Sequence, residues 1–531
     1  MCYVLAMYDV RGKQEFIFRT NKLKEIAGGS WIIRDCFKDY LFPAAEKVSG
    51  GKCRGIFYYK NADGSEKEGA EFHKKEFEKH MADGYIGEVV YDGGGNFLLL
   101  YKNEEIFQNV TYAFTKSLME SVGTLRVLGT CVKVENFDDY KADQKKLYAA
   151  HRAHEMEESI ISPWSCLPIV QVDRATSQPL TAPDTQAKGY NLLKQAEQSE
   201  KHTKESWAKL MKYREEMRRI EEMKKNGDKK SDGSADCQLS QNENIFDRLV
   251  PEKGVDSQLA VIYIDGNSMG AKVQDCLKDP AGNDLKSYES CVKKLREFSA
   301  EIQNTYVDHG IKVAMEGQEK GREHRIVVYA GDEVNFIVPA KDAYKCAKTY
   351  LTSLKEGNSP PNDYSACAGI AVFHSHFPYS EVYRIAEECC ESGKKLMKER
   401  EIKDACLIDF HIIQGAAGVS LDRIREQENG RIISRPWLFS VSEEEKGKAE
   451  GITKTEDAER LAGMFRELGR GNIKGLAELA KRGSAGLDLD LMRIKSHQPE
   501  EIREKMRADW EWLSGMDDTR KRRLVFDVVQ V

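Results

Sequence analysis

At 531 residues the chain is too long for one compact core, and its length alone predicts three or four domains. Hydrophobic residues make up 40% and charged residues 32%, with a net charge of -6. That is the composition of an ordinary water-soluble protein and argues against a dedicated polyanion binder, although a local basic groove stays open. The 13 cysteines are scattered except for Cys389-Cys390 and form no C-x-x-C pair. Neither a zinc ribbon nor a thioredoxin-like site is therefore signalled, and a reducing compartment is expected. No basic leader precedes the apolar start, and no apolar run approaches the roughly 20 residues of a membrane helix. A cytoplasmic protein without membrane contact is the expectation.

In chain order, Tyr3 to Tyr8 reads as a strand, followed by a turn at Val10 to Lys13 and a helix from Gln14 to about Lys24. Gly28-Gly29-Ser30 then reads as a break before a second helix, Trp31 to about Phe42. Tyr85 to Tyr101 reads as two strands joined by Asp92-Gly93-Gly94-Gly95-Asn96, a strong hairpin signal. Leu192 to Lys225 is a long charged pattern, expected as a solvated helix. Asn226 to Asn244 is rich in Gly, Ser, Asp, Asn and Lys and reads as a mobile loop at a domain boundary.

A second block opens with a strand, Leu259 to Ile264, ending in Asp265-Gly266-Asn267. A helix follows over about Tyr288 to Val307, then two strands across His324 to Pro339 around Ala330-Gly331-Asp332-Glu333. Cys367 to Phe373 reads as a strand, Tyr379 to Arg400 as a long helix and Ala405 to Ile413 as a closing strand. From about Trp437 the pattern is helical. Strands mixed with helices in this order indicate an α+β fold, not a doubly wound sheet. The domains expected are residues 1–140, a degenerate first block; 141–250, a helical insert and linker; 251–415, a catalytic block; and 416–531, a helical end.

The two blocks echo each other. Each opens with an apolar strand ending in an acid, Met7-Tyr8-Asp9 and Tyr263-Ile264-Asp265. Each later has a hairpin entered by Val-Tyr, at Val90-Tyr91 and Val328-Tyr329. Aligned from the tyrosine, Gly94 and Gly95 stand where Asp332 and Glu333 stand, so the second block alone keeps three acids.

Acids at a strand end and on a neighbouring hairpin turn converge at one sheet edge. Asp265, Asp332 and Glu333 offer hard oxygen donors suited to Mg²⁺ or Mn²⁺. Two such ions about 4 Å apart activate a 3′-hydroxyl and stabilise a leaving pyrophosphate. These three acids are the candidate catalytic and metal-binding residues. Gly331 allows the turn and a close phosphate approach, and Gly266, Asn267 and Ser268 are positioned to aim backbone N–H groups at a triphosphate. Lys394, or its neighbour Lys395, is a point charge for a phosphate. Gly94 is a nucleotide contact in the first block, and Asp9 either orients that nucleotide or caps a turn. His374 and His376 read as loop or edge residues, and Cys166, lacking partner cysteines, as structural.

The segments Asp9-Val10-Arg11-Gly12-Lys13-Gln14-Glu15-Phe16-Ile17 and Ala27-Gly28-Gly29-Ser30 resemble the opening of the first palm domain in the large polymerase-like subunit of type III CRISPR effector complexes. Asp265-Gly266-Asn267-Ser268-Met269-Gly270 is similar to the metal-binding strand end of that family's second palm. Tyr329-Ala330-Gly331-Asp332-Glu333 resembles its Gly-Gly-Asp-Asp hairpin, and more distantly the Gly-Gly-Asp-Glu-Phe signature of diguanylate cyclases. Ser365 to Phe377, with Ala368-Gly369-Ile370-Ala371, resembles the strand that follows. The likeness covers most of residues 1–415.

The resemblance implies two ferredoxin-like palms, ATP as substrate, and a 3′–5′ linked, often cyclic, oligonucleotide messenger in antiviral defence. A defence-system partner protein is implied with it; nucleic acid is possible but not signalled. The departures are Ala-Gly-Asp-Glu in the hairpin, Asn267 where an Asp is common, and no zinc cysteines around Cys166. No HD nuclease segment precedes the first palm, so a standalone relative without nuclease activity is expected. Two alternatives stand beside the enzyme. One is a non-catalytic nucleotide-binding scaffold in an RNA-guided complex. The other is a template-directed polymerase, which would want a basic channel that the composition does not advertise.

Overall fold

The computed structural model describes residues 2–20, 22–50, 54–60, 71–93, 96–157, 170–174, 176–181, 201–225, 249–250, 257–316, 324–356, 364–415, 418–429 and 432–530. The chain begins with β1 (Tyr3–Arg11), α1 (Lys13–Phe18), α2 (Leu23–Cys36), α3 (Phe42–Val48), β2 (Gly55–Phe57) and α4 (Lys74–Ala82). The hairpin β3 (Tyr85–Gly93) and β4 (Asn96–Tyr101) follows, then α5 (Glu104–Ser121), β5 (Arg126–Val134) and α6 (Tyr140–Glu157). A two-residue pair, β6 (Leu180–Thr181) and β7 (His202–Thr203), leads into α7 (Lys204–Lys225). The second block runs β8 (Gln258–Gly266), α8 (Met269–Cys276), α9 (Tyr288–Ile302), α10 (Gly310–Glu316), β9 (Arg325–Ala330) and β10 (Glu333–Pro339). It continues through α11 (Ala343–Glu356), β11 (Ala366–His374), α12 (Tyr379–Glu399), β12 (Ala405–Ile412), α13 (Leu421–Asn429) and β13 (Trp437–Val441). Helices from α14 (Thr455–Leu468) to a last one, Asp518–Gln530, complete the described chain.

The fold is α+β, and its two larger sheets share the repeat seen in the sequence. The first has the order β2-β3-β4-β1-β5 and the second β13-β12-β11-β8-β10-β9. Numbering each block's own four strands, both contain the order 2-3-1-4: β3-β4-β1-β5 and β9-β10-β8-β11. β1 lies antiparallel to both β4 and β5, and β8 antiparallel to β11. Both central strands are apolar because both of their faces are covered: Val4 to Tyr8 and Leu259 to Ile264 are each at most 4% exposed.

The chain divides into two compact units. One comprises residues 1–245, 268–308 and 326–334, the other 246–267, 309–325 and 335–531, so the boundary passes through the β9–β10 hairpin. In the first unit, α9 packs on the first sheet. Tyr288, Cys291, Val292 and Leu295 share a core with Leu5, Met7, Val90 and Leu98. A buried polar bridge fixes the register. Arg296 donates to Glu88 at 3.0 Å and to the Val89 carbonyl at 2.5 Å, while His80 Nδ1 lies 2.8 Å from the second Glu88 oxygen. In the second unit, a buried clasp holds the last helix. Asp527 accepts hydrogen bonds from the Ser434 hydroxyl and backbone N–H, both at 2.6 Å. Arg425 grips Asp409 through two nitrogens at 2.7 and 2.9 Å.

Three sequence readings are corrected by the structure. Gly28-Gly29-Ser30 is not a break: α2 runs through it. The glycines are there because α7 crosses at backbone contact, and a Cβ on Gly28 would stand 2.0 Å from the Lys209 carbonyl oxygen. For the same reason α7 is not a solvated helix. Glu205, Lys209, Leu210 and Tyr213 on it are buried, and the Lys209 ammonium donates to Glu205 at 2.6 Å and lies 4.3 Å from the centre of the Phe16 ring. Trp437–Val441 is a strand, not a helix, because it pairs antiparallel with β12. Asn226 to Asn244, Gly94, Gly95 and Cys166 lie outside the described residues.

The α2–α7 crossing gives a test of sign. In an ordinary exposed helix interior, Gly→Ala stabilises by about 1 kcal/mol. At Gly28 the new methyl has to displace backbone, so Gly28→Ala should instead destabilise by about 1–3 kcal/mol in urea unfolding. A gain in stability would contradict the crossing.

Candidate active site

Asp265 is the penultimate residue of β8, paired across the ladder with Cys367 of β11. Its carboxylate is about one-fifth exposed and forms an ion pair with the Lys394 ammonium of α12. Burial works to discharge Lys394, but the charge and hydrogen bond of Asp265 outweigh it and hold the lysine pKa above its ordinary value. Two glycines bring the pair together. A Cβ on Gly369 of β11 would stand 1.9 Å from the Ala386 carbonyl oxygen of α12, and one on Gly393 would stand 3.1 Å from the Cys367 sulfur. Because neither side chain exists, α12 settles directly onto β11 and Lys394 reaches the end of β8.

The segment after β8 is more specialised than the sequence indicates. Asn267 turns inward. Its backbone N–H donates to the Ser365 carbonyl at 2.8 Å and its side-chain amide to the Ala405 carbonyl at 2.8 Å. The expectation that its N–H groups face a triphosphate is thus corrected: Asn267 ties together the ends of three strands. Gly266 is buried as well. Ser268 is exposed and left-handed, with φ 58° and ψ 28°, at the N-cap of α8. Gly12, three residues after Asp9 as Ser268 is three after Asp265, is left-handed too, with φ 62° and ψ 35° at the N-cap of α1. Strand, acid, left-handed residue and helix thus recur in both blocks. The first block fills the left-handed position with glycine and the second with a serine, which costs of order 1 kcal/mol of strain.

Gly331, with φ 65°, makes the β9–β10 turn, and Asp332 and Glu333 follow it, both partly exposed. Within their unit they stand near the first hairpin. Burial lifts the Tyr91 phenol above its ordinary pKa, and Tyr148 and then the Asp332 carboxylate add to the rise. Asp9 is committed locally: Arg11 donates to it at 2.9 Å, and His151 Nε2 lies 3.8 Å away. Lys395, His374 and His376 are exposed, the histidines at the end of β11 and in the turn beyond it, as expected. Among the described residues, no group of three or more His, Cys, Asp or Glu side chains is placed to hold a metal ion. Asp265 belongs to one compact unit and Asp332 and Glu333 to the other.

Sequence reading missed the stripe on α6. Lys141, Gln144, Lys145, Tyr148, Ala149 and Arg152 recur at helical spacing and line one cavity of about 770 Å³ in the first unit. The signal was present as the i, i+3, i+4, i+7 periodicity of that segment.

Residues 258–406 match the second palm domain of the Cas10/Cmr2 family. No curated protein matches the chain. A chain of the crystal structure of the Csm1–Csm4 cassette in complex with cA3 is similar, with 10% identity and a TM-score of 0.51 over 99% of this chain and 69% of that one. Chains of the apo cassette and of the cassette with one ATP are similar at 10% and 11% identity, each with a TM-score of 0.50. They are covered over 70% and 69% of their lengths, by 100% and 99% of this chain. No described helix is long and apolar enough to cross a membrane. The resemblance to the palm-bearing large subunit of type III CRISPR complexes holds in the second-palm segment and in the fold of the whole chain.

Proposed function

We propose that the chain is a metal-dependent nucleotidyltransferase that joins nucleoside triphosphates, ATP foremost, into a cyclic or linear oligonucleotide messenger in antiviral defence. The observation that carries this reading is Asp265, held at a strand end against Lys394 inside a segment matching the Cas10/Cmr2 second palm. Asp265, Asp332 and Glu333 are the residues that would hold Mg²⁺ or Mn²⁺. Their chemistry fits: three carboxylates are the oxygen donors these ions take, and Asp265 already holds one positive charge. Such ions supply charge neutralisation for an attacking 3′-hydroxyl and a leaving pyrophosphate. Lys394 is the point charge offered to a phosphate oxygen when it leaves Asp265, and Gly331 is the turn residue that a phosphate can approach closely. The similar structures contain the Csm1–Csm4 cassette, with cA3 or ATP in two of them. Nucleotide binding and a defence-system partner protein are accordingly part of the proposal.

A second reading, a non-catalytic nucleotide-binding scaffold, is favoured by one observation: Asp265 is already neutralised by Lys394. Incubating the purified chain with each nucleoside triphosphate and Mg²⁺ or Mn²⁺, then reading products by mass spectrometry, separates the two. The transferase reading expects pyrophosphate and an oligonucleotide, and a fall of several orders of magnitude in Asp332→Asn with the fold intact. Near-normal turnover in that variant would show the site to be misassigned.

Lys394 has its own test. A partly exposed ion pair contributes at most about 1 kcal/mol to stability, so Lys394→Ala should unfold at nearly the parent urea midpoint while losing affinity for nucleoside triphosphate. A large loss of stability with unchanged affinity would make the pair structural.

A further inference from the structure

A cavity of about 470 Å³ lies between α10 and α11, wholly within the second compact unit. His309, the residue before α10, and Val313 on α10 form one wall. Lys345, Lys348, Thr349 and Thr352 of α11 form the other, at the i, i+3, i+4, i+7 spacing of one helical face. The charge is one-sided: two lysines and a histidine line the cavity, and no carboxylate does. That is unusual in a chain whose 87 acids outnumber its 81 lysines and arginines. A concave site lined by one sign of charge focuses its field and draws in the opposite ion.

The hydrogen-bonding groups divide into spent and unspent. Thr352 donates its hydroxyl back to the Lys348 carbonyl at 2.9 Å, and buried Ser353, also in the lining, donates to the Tyr350 carbonyl at 2.7 Å. Among the described residues, His309, Lys345 and Thr349 have neither a hydrogen-bond nor an ion-pair partner. Lys348 is held at the rim. Its ammonium lies 2.6 Å from a Glu459 carboxylate oxygen on α14, and the Tyr344 hydroxyl donates to that same oxygen at 2.7 Å.

An ammonium, a hydroxyl and an imidazole left unused around one cavity are the donors that a phosphate group takes: lysine as a point charge, the other two as directional donors. We infer that this cavity is an oxyanion site for a phosphate group, as the free ion or a small phosphate monoester, held by Lys345, Thr349 and His309. Its volume lies at the lower end of small-molecule sites, and Val313 offers an apolar contact to an ester body. Lys348 joins the site to the C-terminal helices. A bound phosphate competes with Glu459 for that ammonium, so occupancy and the α11–α14 contact are coupled. The inference does not depend on the transferase reading.

Isothermal titration of the full chain with inorganic phosphate, at fixed ionic strength, tests the site. A second arm with adenosine 5′-monophosphate separates the free ion from an ester. Lys345→Ala changes an exposed side chain and Thr349→Val keeps the shape of the threonine, so both should fold, which circular dichroism checks. The expected result is that Lys345→Ala weakens phosphate binding at least about tenfold, a loss of about 1.4 kcal/mol. Thr349→Val should weaken it about fivefold, the worth of one hydrogen bond. Glu459→Gln frees Lys348 and should tighten it. Lys394→Ala, at the proposed catalytic corner, should leave this binding event in place. Tighter binding of the monophosphate than of phosphate assigns an ester, and binding of phosphate alone assigns the free ion. Absence of phosphate binding in the parent, unchanged binding in Lys345→Ala, or loss of all binding in Lys394→Ala would each overturn the site. Unchanged binding in Glu459→Gln would overturn the coupling.

Discussion

The approach of α12 onto β11 at Gly369 is the contact on which the proposed catalytic end of the second sheet depends. A methyl there would overlap the Ala386 carbonyl, so only glycine lets helix and strand meet at backbone distance. Gly393 repeats the device farther along the helix, against Cys367, the residue paired with Asp265. With the helix seated this low, Lys394 comes to the end of β8 and pairs with Asp265 there. Asn267 then closes the same corner by bonding to Ser365 and Ala405, so three strand ends are locked where the carboxylate must be presented. A functional group held this way is positioned by main-chain packing and does not depend on loop order.

The repeated strand order gives the molecule two such corners, and they differ. Both sheets share the order 2-3-1-4, and both place a left-handed residue three positions after the strand acid. In the first block that residue is Gly12, which adopts the conformation freely, and Asp9 is occupied by Arg11. In the second block it is Ser268, which accepts strain to keep a hydroxyl exposed at the same point. Strain retained in one copy and relaxed in the other is the pattern expected when only one copy carries chemistry.

Much of this was legible in the sequence, for identifiable reasons. β1, β8 and the β3–β4 hairpin were readable because central strands are continuous apolar runs and Asp-Gly-Gly-Gly-Asn admits little besides a tight turn. Asp265 was readable as an acid at the end of such a run. What escaped depended on distant partners. Gly28-Gly29 has the composition of a break, and only Lys209, some 180 positions away, shows it to be a helix crossing. The charges of α7 look solvated until Glu25 and Glu205 are seen buried with Lys209. Trp437–Val441 is too short to declare itself a strand without β12 beside it. Asn267 looked like a turn residue because nothing local reveals the carbonyls it bonds.

The central claim is that the two matched halves have divided binding from chemistry. Turnover of Asp9→Ala and Asp265→Ala under saturating nucleoside triphosphate, with folding verified for both, tests it most directly. The account predicts near-complete loss in Asp265→Ala, but in Asp9→Ala only a modest loss that appears mainly as weaker nucleotide binding. Equal, near-complete loss in both variants would contradict it, because the first half would then take part in the reaction itself.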